Sequence, residues 1–285
     1  MLDRLVTWAA AQELVRVVLL TSTRASAHAN TDQFSDYDVI LYVADTTPFA
    51  KDSEWLAGFG RVLVRFQDEG QDHGLRHYAR LVIYEDGTKI DFTIAPVEQL
   101  DRIAQAGTLP DALDVGYRVL LDKDGRAANL RQPTYAAHIP RRPTQQEFLA
   151  VVEEFWWETT YVAKNLRRDE LLPAKYSLEV VMKLDLLRRV LEWRVETEHD
   201  WSLKPGVLGK GFKKHLDEAT WSELEGTFVG ADIAQNWQAL FGTTQLFRRV
   251  ASEVAVRLGL AYPHDLDAQV TGYLQRVKAS SSTLA

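Results

Sequence analysis

The residues with the most chemical content are three acids at strand spacing. Asp36 and Asp38 flank Tyr37, immediately before the run Val39-Ile40-Leu41-Tyr42-Val43. A period of two along a strand puts both carboxylates on one side, at the mouth of a sheet. Two carboxylates so placed repel each other unless a cation lies between them. An oxygen-only ligand set suits Mg²⁺, which completes its shell with water and substrate phosphates. A third acid, Asp91, stands in Lys89-Ile90-Asp91-Phe92-Thr93-Ile94, where Ile90 and Phe92 point to the opposite face. A charge on an internal strand is costly unless it is paired or metal-bound. Asp36, Asp38 and Asp91 are therefore the expected catalytic and metal-binding residues, forming a two-metal site for phosphoryl chemistry. Upstream, the hydroxyls of Ser22 and Thr23, and the backbone N–H groups of the turn they open, are donors for a phosphate. Arg24 either binds phosphate or locks the loop.

The elements that must position these residues read as α/β in the first half of the chain. Leu2, Leu5, Val6 and Ala9 follow helical spacing, and Leu14 to Leu20 is an apolar run of strand length. After the polar stretch from Thr21 to Ser35 comes the strand from Val39 to Val43, bounded by Asp and Thr-Pro. Further strands are predicted at Arg61 to Phe66, Ala79 to Tyr84 and Lys89 to Ile94, the last two joined at Asp86-Gly87, a hairpin signal. A helix over Val97 to Ala104 and a strand over Tyr117 to Leu121 complete this half.

Three prolines and Arg141-Arg142 between Pro133 and Pro143 mark a linker. Domains are therefore expected at 1–142 and 143–285. Beyond the linker the periodicity is helical. Phe148, Val151, Val152 and Phe155 form one apolar face, and Leu178, Val181, Met182, Leu186 and Leu187 another. Six of the eight tryptophans lie in this second half, as a helical core of large side chains requires. The serine-bearing tail from Lys278 is expected to fray.

Composition excludes several classes. The chain has 285 residues and no cysteine, so disulfides, thiolate zinc sites and cysteine nucleophiles are ruled out. No run approaches the roughly 20 apolar residues of a membrane span, and no signal-peptide core is evident, so a cytoplasmic location is expected. The net charge of −7 is shared by both halves, which argues against a protein that grips long nucleic acid. His73 and His77 have the spacing of a zinc helix but lack the adjacent glutamate, and neither a P-loop nor a G-x-S-x-G elbow is present.

The chain also resembles a known family, the aminoglycoside 6-adenylyltransferases (streptomycin adenylyltransferases). The likeness lies in Ser22-Thr23-Arg24, Phe34-Ser35-Asp36-Tyr37-Asp38, Lys89-Ile90-Asp91-Phe92-Thr93 and Leu121-Asp122-Lys123-Asp124-Gly125. It continues in Glu154-Phe155-Trp156-Trp157, Tyr161-Val162-Ala163-Lys164 and Gly209-Lys210-Gly211, in collinear order over most of the chain. The resemblance implies an α/β nucleotidyltransferase domain with a mixed sheet like the polymerase β palm, followed by an all-α domain. It also implies transfer of AMP from ATP to a hydroxyl of an aminoglycoside such as streptomycin, with Mg²⁺ as cofactor and pyrophosphate as product. In that scheme Asp36 and Asp38 hold Mg²⁺ on the triphosphate, and Asp91 completes the site and takes the proton of the attacking hydroxyl. Lys164 matches a family position suited to a terminal phosphate. Glu154, Trp157 and Tyr161, on the same predicted helix, form an acidic and aromatic wall for a polycationic acceptor.

One departure stands out. The family pattern at the phosphate loop is Gly-Ser-Arg, and Ser22 occupies the glycine position, where glycine would permit φ > 0. Two alternatives follow: a nucleotidyltransferase with another hydroxylated acceptor, or a catalytically silent nucleotide-binding protein of the same fold. Retention of three clustered acids speaks against silence, because without a cation they would only destabilise the chain.

Overall fold

The apolar run after Leu14 forms β1 (Val15–Thr21), buried everywhere except Arg16, in a computed structural model that describes residues 1–26, 30–72, 74–203 and 207–280. With β2 (Tyr37–Val43), β3 (Val62–Asp72), β4 (Leu75–Tyr84), β5 (Lys89–Pro96) and β6 (Tyr117–Asp122) it makes a six-stranded sheet in the order β3-β4-β5-β2-β1-β6. The β2–β5 pair is parallel and every other neighbouring pair is antiparallel, so the sheet is mixed.

Alternation along these strands feeds two apolar layers. Val18, Leu20, Val39, Leu41, Ile90 and Phe92 pack on Leu5 and Ala9 of α1 (Leu2–Ala11). Val17, Leu19 and Tyr42 face Leu100 and Ile103 of α2 (Val97–Ala106) on the other side. The turn at Asp86-Gly87 forms as expected: Asp86 accepts from the Thr88 N–H at 2.9 Å, and Gly87 takes φ +83°. The segment 121–125 serves the fold. Lys123 donates to the carbonyls of Ala9 and Gln12 at the end of α1, and Asp124 pairs with Arg16.

The β3–β4 hairpin is longer than the strands expected at 61–66 and 79–84. Residues 67–72 pair with 75–80 although most of their side chains are exposed or half-buried, so no apolar alternation marks them. Backbone ladder bonds carry this part of the hairpin. His77 lies on β4, which rules out a zinc helix there, and His73 lies outside the described residues.

The chain divides into compact units at Met1–Ala137 and His138–Ala285, and no helix or strand lies between 130 and 144. The second unit is helical. Its first helix, α3 (Gln145–Arg167), begins with a reciprocal cap between Thr144 and Glu147 and buries Phe148, Val151, Val152 and Phe155, the predicted face. Phe155 stacks on Phe247 of a later helix, ring centroids 3.5 Å apart. Trp156, fully buried, donates to Tyr262 Oη, which in turn donates to Asp267.

After α4 (Leu171–Lys175) the predicted second helix is present but widened into π-helical turns over Tyr176–Leu187, before α5 (Arg188–Glu198). Along it Lys183 is buried and donates to Glu179 and to the Thr227 carbonyl, a polar demand that the apolar spacing did not reveal. Helices α6 (Glu218–Gly226), α7 (Ile233–Leu258) and α8 (His264–Ala279) complete the unit. The tail expected to fray lies outside the described residues from 281 onward. Among the described residues, no helix is long and apolar enough to cross a membrane.

Candidate active site

The parallel pairing of β2 with β5 places Asp38 directly opposite Asp91. Each strand turns apolar neighbours the other way: Val39, Ile90 and Phe92 are fully or almost fully buried in the core beneath. Asp36 lies one residue ahead of β2, and extending the register sets it opposite Lys89. The Lys89 ammonium donates to Asp36 Oδ2 at 2.5 Å and to Asp91 Oδ2 at 3.0 Å, bridging the two strands. Asp36, Asp38 and Asp91 are thus gathered at one end of the parallel pair.

The electrostatics follow from this crowding. Burial pushes the Asp38 carboxyl above the usual carboxylate range, the Asp91 charge pushes it further, and a hydrogen bond from the Ser22 hydroxyl pulls the other way. Burial alone would lower the Lys89 pKa, but its hydrogen bonds to Asp36 and Asp91 outweigh that and raise it. Lys89 was not among the sequence candidates. The signal was available, since it precedes Asp91 by two residues and so shares its face.

The trio is not a ready-made cage. Among the described residues no three or more acidic or imidazole side chains enclose one point as a metal site would. Lys89 instead sits between two of the trio, its nitrogen within hydrogen-bond distance of Asp36 and Asp91. The residues nonetheless fit a hard divalent ion. Every donor is a carboxylate oxygen, and Asp91 Oδ1 is buried with no hydrogen-bond partner among the described residues. Mg²⁺ characteristically takes only one or two protein carboxylates and fills its other positions with water and phosphate.

The upstream loop is held against this site. Ser22, Thr23 and Arg24 form a single 3₁₀ turn after β1. Ser22 has φ +61°, the left-handed backbone that glycine adopts without strain. Arg24 is engaged within the loop: its Nε donates to the Ser35 and Asp36 carbonyls at 3.2 and 3.0 Å, and its Nη2 to Ser35 at 2.8 Å. Its guanidinium also lies 4.0 Å over the Tyr37 ring. A cleft of about 400 Å³ adjoins the site, lined by Arg24, Phe34, Tyr37, Thr88 and Lys89 among others.

The remaining sequence candidates all lie on α3 in the second unit. Glu154 and Trp157 are exposed, and Tyr161 stands edge-to-face with Trp157, centroids 6.0 Å apart. Lys164 Nζ sits 4.5 Å over the Tyr161 ring. Trp157 is 62 % exposed while its neighbour Trp156 is fully buried, so Trp157 is not part of the core.

A gathered acidic trio on a mixed sheet, beside a hydroxyl-bearing turn, is compatible with a nucleotidyl-transferring enzyme. Comparison with known proteins agrees. The family model for streptomycin adenylyltransferase matches residues 1–277. The aminoglycoside 6-adenylyltransferase of Bacillus subtilis is 30 % identical over 98 % of this chain and 97 % of its own length. That of Campylobacter jejuni is 29 % identical over 97 % and 94 %. Among solved structures, an aminoglycoside 6-adenyltransferase from Bacillus subtilis superposes with a TM-score of 0.50 at 27 % identity, covering 98 % of both chains. The chain belongs to the streptomycin adenylyltransferase family and is a nucleotidyltransferase.

Proposed function

We propose that the protein transfers AMP from ATP to a hydroxyl of an aminoglycoside such as streptomycin, with Mg²⁺ as cofactor and release of pyrophosphate. The observation that carries this reading is the placement of Asp38 against Asp91 across β2 and β5, with Asp36 joined to Asp91 through Lys89. The likeness to aminoglycoside adenylyltransferases supplies the acceptor class. The palm-like character of the first unit belongs to the same proposal.

Asp36, Asp38 and Asp91 would hold the metal, which when bound neutralises charge on the triphosphate. Ser22 and Thr23 offer donors to the phosphates from the turn after β1. Asp91 is proposed to take the proton of the acceptor hydroxyl. The hydroxyl oxygen bonds to the α-phosphorus as the bond to the bridging oxygen breaks, and that oxygen leaves with pyrophosphate. Such a displacement depends on alignment and charge neutralisation rather than on a covalent enzyme intermediate.

Trp157 and Tyr161, with Glu154, are proposed to recognise the cationic acceptor. Tyr161 already hosts an ammonium, that of Lys164, which supports a ring suited to a guanidinium or amine. Lys164 is proposed for a terminal phosphate of ATP. ATP and Mg²⁺ are cytoplasmic reagents, and the protein is proposed to act in that compartment. Ser22 favours one second reading, the same chemistry on a different hydroxylated acceptor.

Incubation with ATP, Mg²⁺ and a panel of aminoglycosides, followed by pyrophosphate release, tests the proposal. Release that requires an aminoglycoside supports it. Release only with other alcohols supports the second reading, and ATP binding without turnover on any acceptor contradicts both.

A further inference from the structure

The Lys89 side chain lies between two of the three candidate metal-binding carboxylates. Its nitrogen is within hydrogen-bond distance of one carboxylate from each side of the parallel pair, Asp36 at 2.5 Å and Asp91 at 3.0 Å. Its charge also acts on Asp38. All three groups of the bridge are only about one-third exposed or less, so bulk water screens their interaction weakly. The same side chain lines the cleft beside the trio, which leaves its ammonium a route out of the bridge toward a bound anion.

Charge bookkeeping gives the bridge a purpose. Three acids converging without a cation would repel one another and spread apart. One ammonium offsets a single charge of the three and occupies one oxygen each of Asp36 and Asp91. A divalent ion that takes those oxygens must displace it.

We propose that Lys89 is the resident counter-ion of the site. It holds Asp36 and Asp91 together while no divalent cation is bound, competes with bare divalent cations for the same oxygens, and so favours metal that arrives with a nucleotide, whose phosphates give the released ammonium a new partner. The inference rests on the reading of the trio as a metal-and-nucleotide site. Lys89 acts here through the carboxylates it holds, as a positioning residue.

The test is Mn²⁺ binding to the full-length protein without nucleotide, followed by electron paramagnetic resonance and by thermal melting. Lys89→Met removes the charge, Lys89→Gln removes it while keeping a hydrogen-bond donor, and Lys89→Arg keeps the charge. Both neutral variants should bind Mn²⁺ on the order of tenfold or more tightly than the wild type, because a unit charge a few ångströms away has been removed. They should melt below the wild type in chelator and gain more than it does on adding Mn²⁺. Lys89→Arg should keep the weaker affinity. Adding Asp91→Asn to Lys89→Met should abolish the gain.

Mn²⁺ affinity unchanged or weakened in both neutral variants would overturn the inference, as would an equal gain in Lys89→Arg. Failure of the adenylyl-transfer reading gives a different signature: the wild type would release no pyrophosphate with any aminoglycoside, whatever the order of Mn²⁺ affinities.

Discussion

Asp38 and Asp91 are register partners across the parallel strands β2 and β5, and burial together with the Asp91 charge raises the proton affinity of Asp38. Burial contributes most, and the Asp91 charge adds to it. The folded chain therefore binds the Asp38 proton more tightly than the unfolded chain does. The associated stability is complete below the unfolded pKa of about 3.9 and is lost as pH rises through the higher folded value. Asp38→Asn cannot ionise. In metal-free protein it should melt above the wild type at pH 7, with the difference shrinking toward pH 4. An equal difference at both pH values would contradict this account of Asp38.

The same substitution should remove catalysis. Loss of one preorganised electrostatic contact, such as an oxyanion-hole donor, costs about 10²–10³-fold in turnover. Asp38→Asn and Asp91→Asn should each lose at least that much pyrophosphate release, with circular dichroism unchanged. Activity within a few-fold of the wild type in either variant would remove that residue from the site.

Ser22 combines a strained backbone with a useful hydroxyl. Its φ of +61° costs a non-glycine residue energy that glycine avoids, partly offset by the greater entropy glycine loses on folding. Both Ser22→Gly and Ser22→Ala lose the hydroxyl, so Ser22→Gly should be more stable than Ser22→Ala by about 0.5–1 kcal/mol, read from urea denaturation. Ser22→Ala keeps the strain and loses the hydrogen bond to Asp38, so it should gain nothing. Equal stability of the two variants would show that the left-handed backbone is not strained.

Two adjacent tryptophans should separate folding from recognition. Trp156 is fully buried and hydrogen-bonded to Tyr262, so Trp156→Ala should cost about 3–5 kcal/mol of stability. Trp157 is exposed, and Trp157→Ala should leave stability nearly unchanged. It should raise KM for the aminoglycoside roughly 2- to 30-fold, the range of a lost cation–π contact, with KM for ATP unchanged. An effect on ATP alone would assign Trp157 to the nucleotide.

The legible and illegible parts of this molecule differ for physical reasons. Strands β1, β2 and β5 show in the sequence because buried strands must be apolar, and Asp91 stands out because it interrupts such a strand. The far half of the β3–β4 hairpin does not show, since backbone pairing holds it while its side chains meet water. The π-helical stretch around Lys183 is hidden because apolar spacing alone does not distinguish it from an α-helix. Lys89 is not legible because clustered acids point to an external cation, whereas the chain carries one of its own. The departure at Ser22 was visible as a residue type, but its cost appears only in the backbone angle.

The most direct test of the central claim is the mass of each aminoglycoside in a panel that includes streptomycin, after incubation with ATP and Mg²⁺, alongside Asp38→Asn protein as control. The account predicts a gain of one adenylyl group with the wild type and none with the variant. A whole panel left unmodified by the wild type, or modified equally by both proteins, would contradict it.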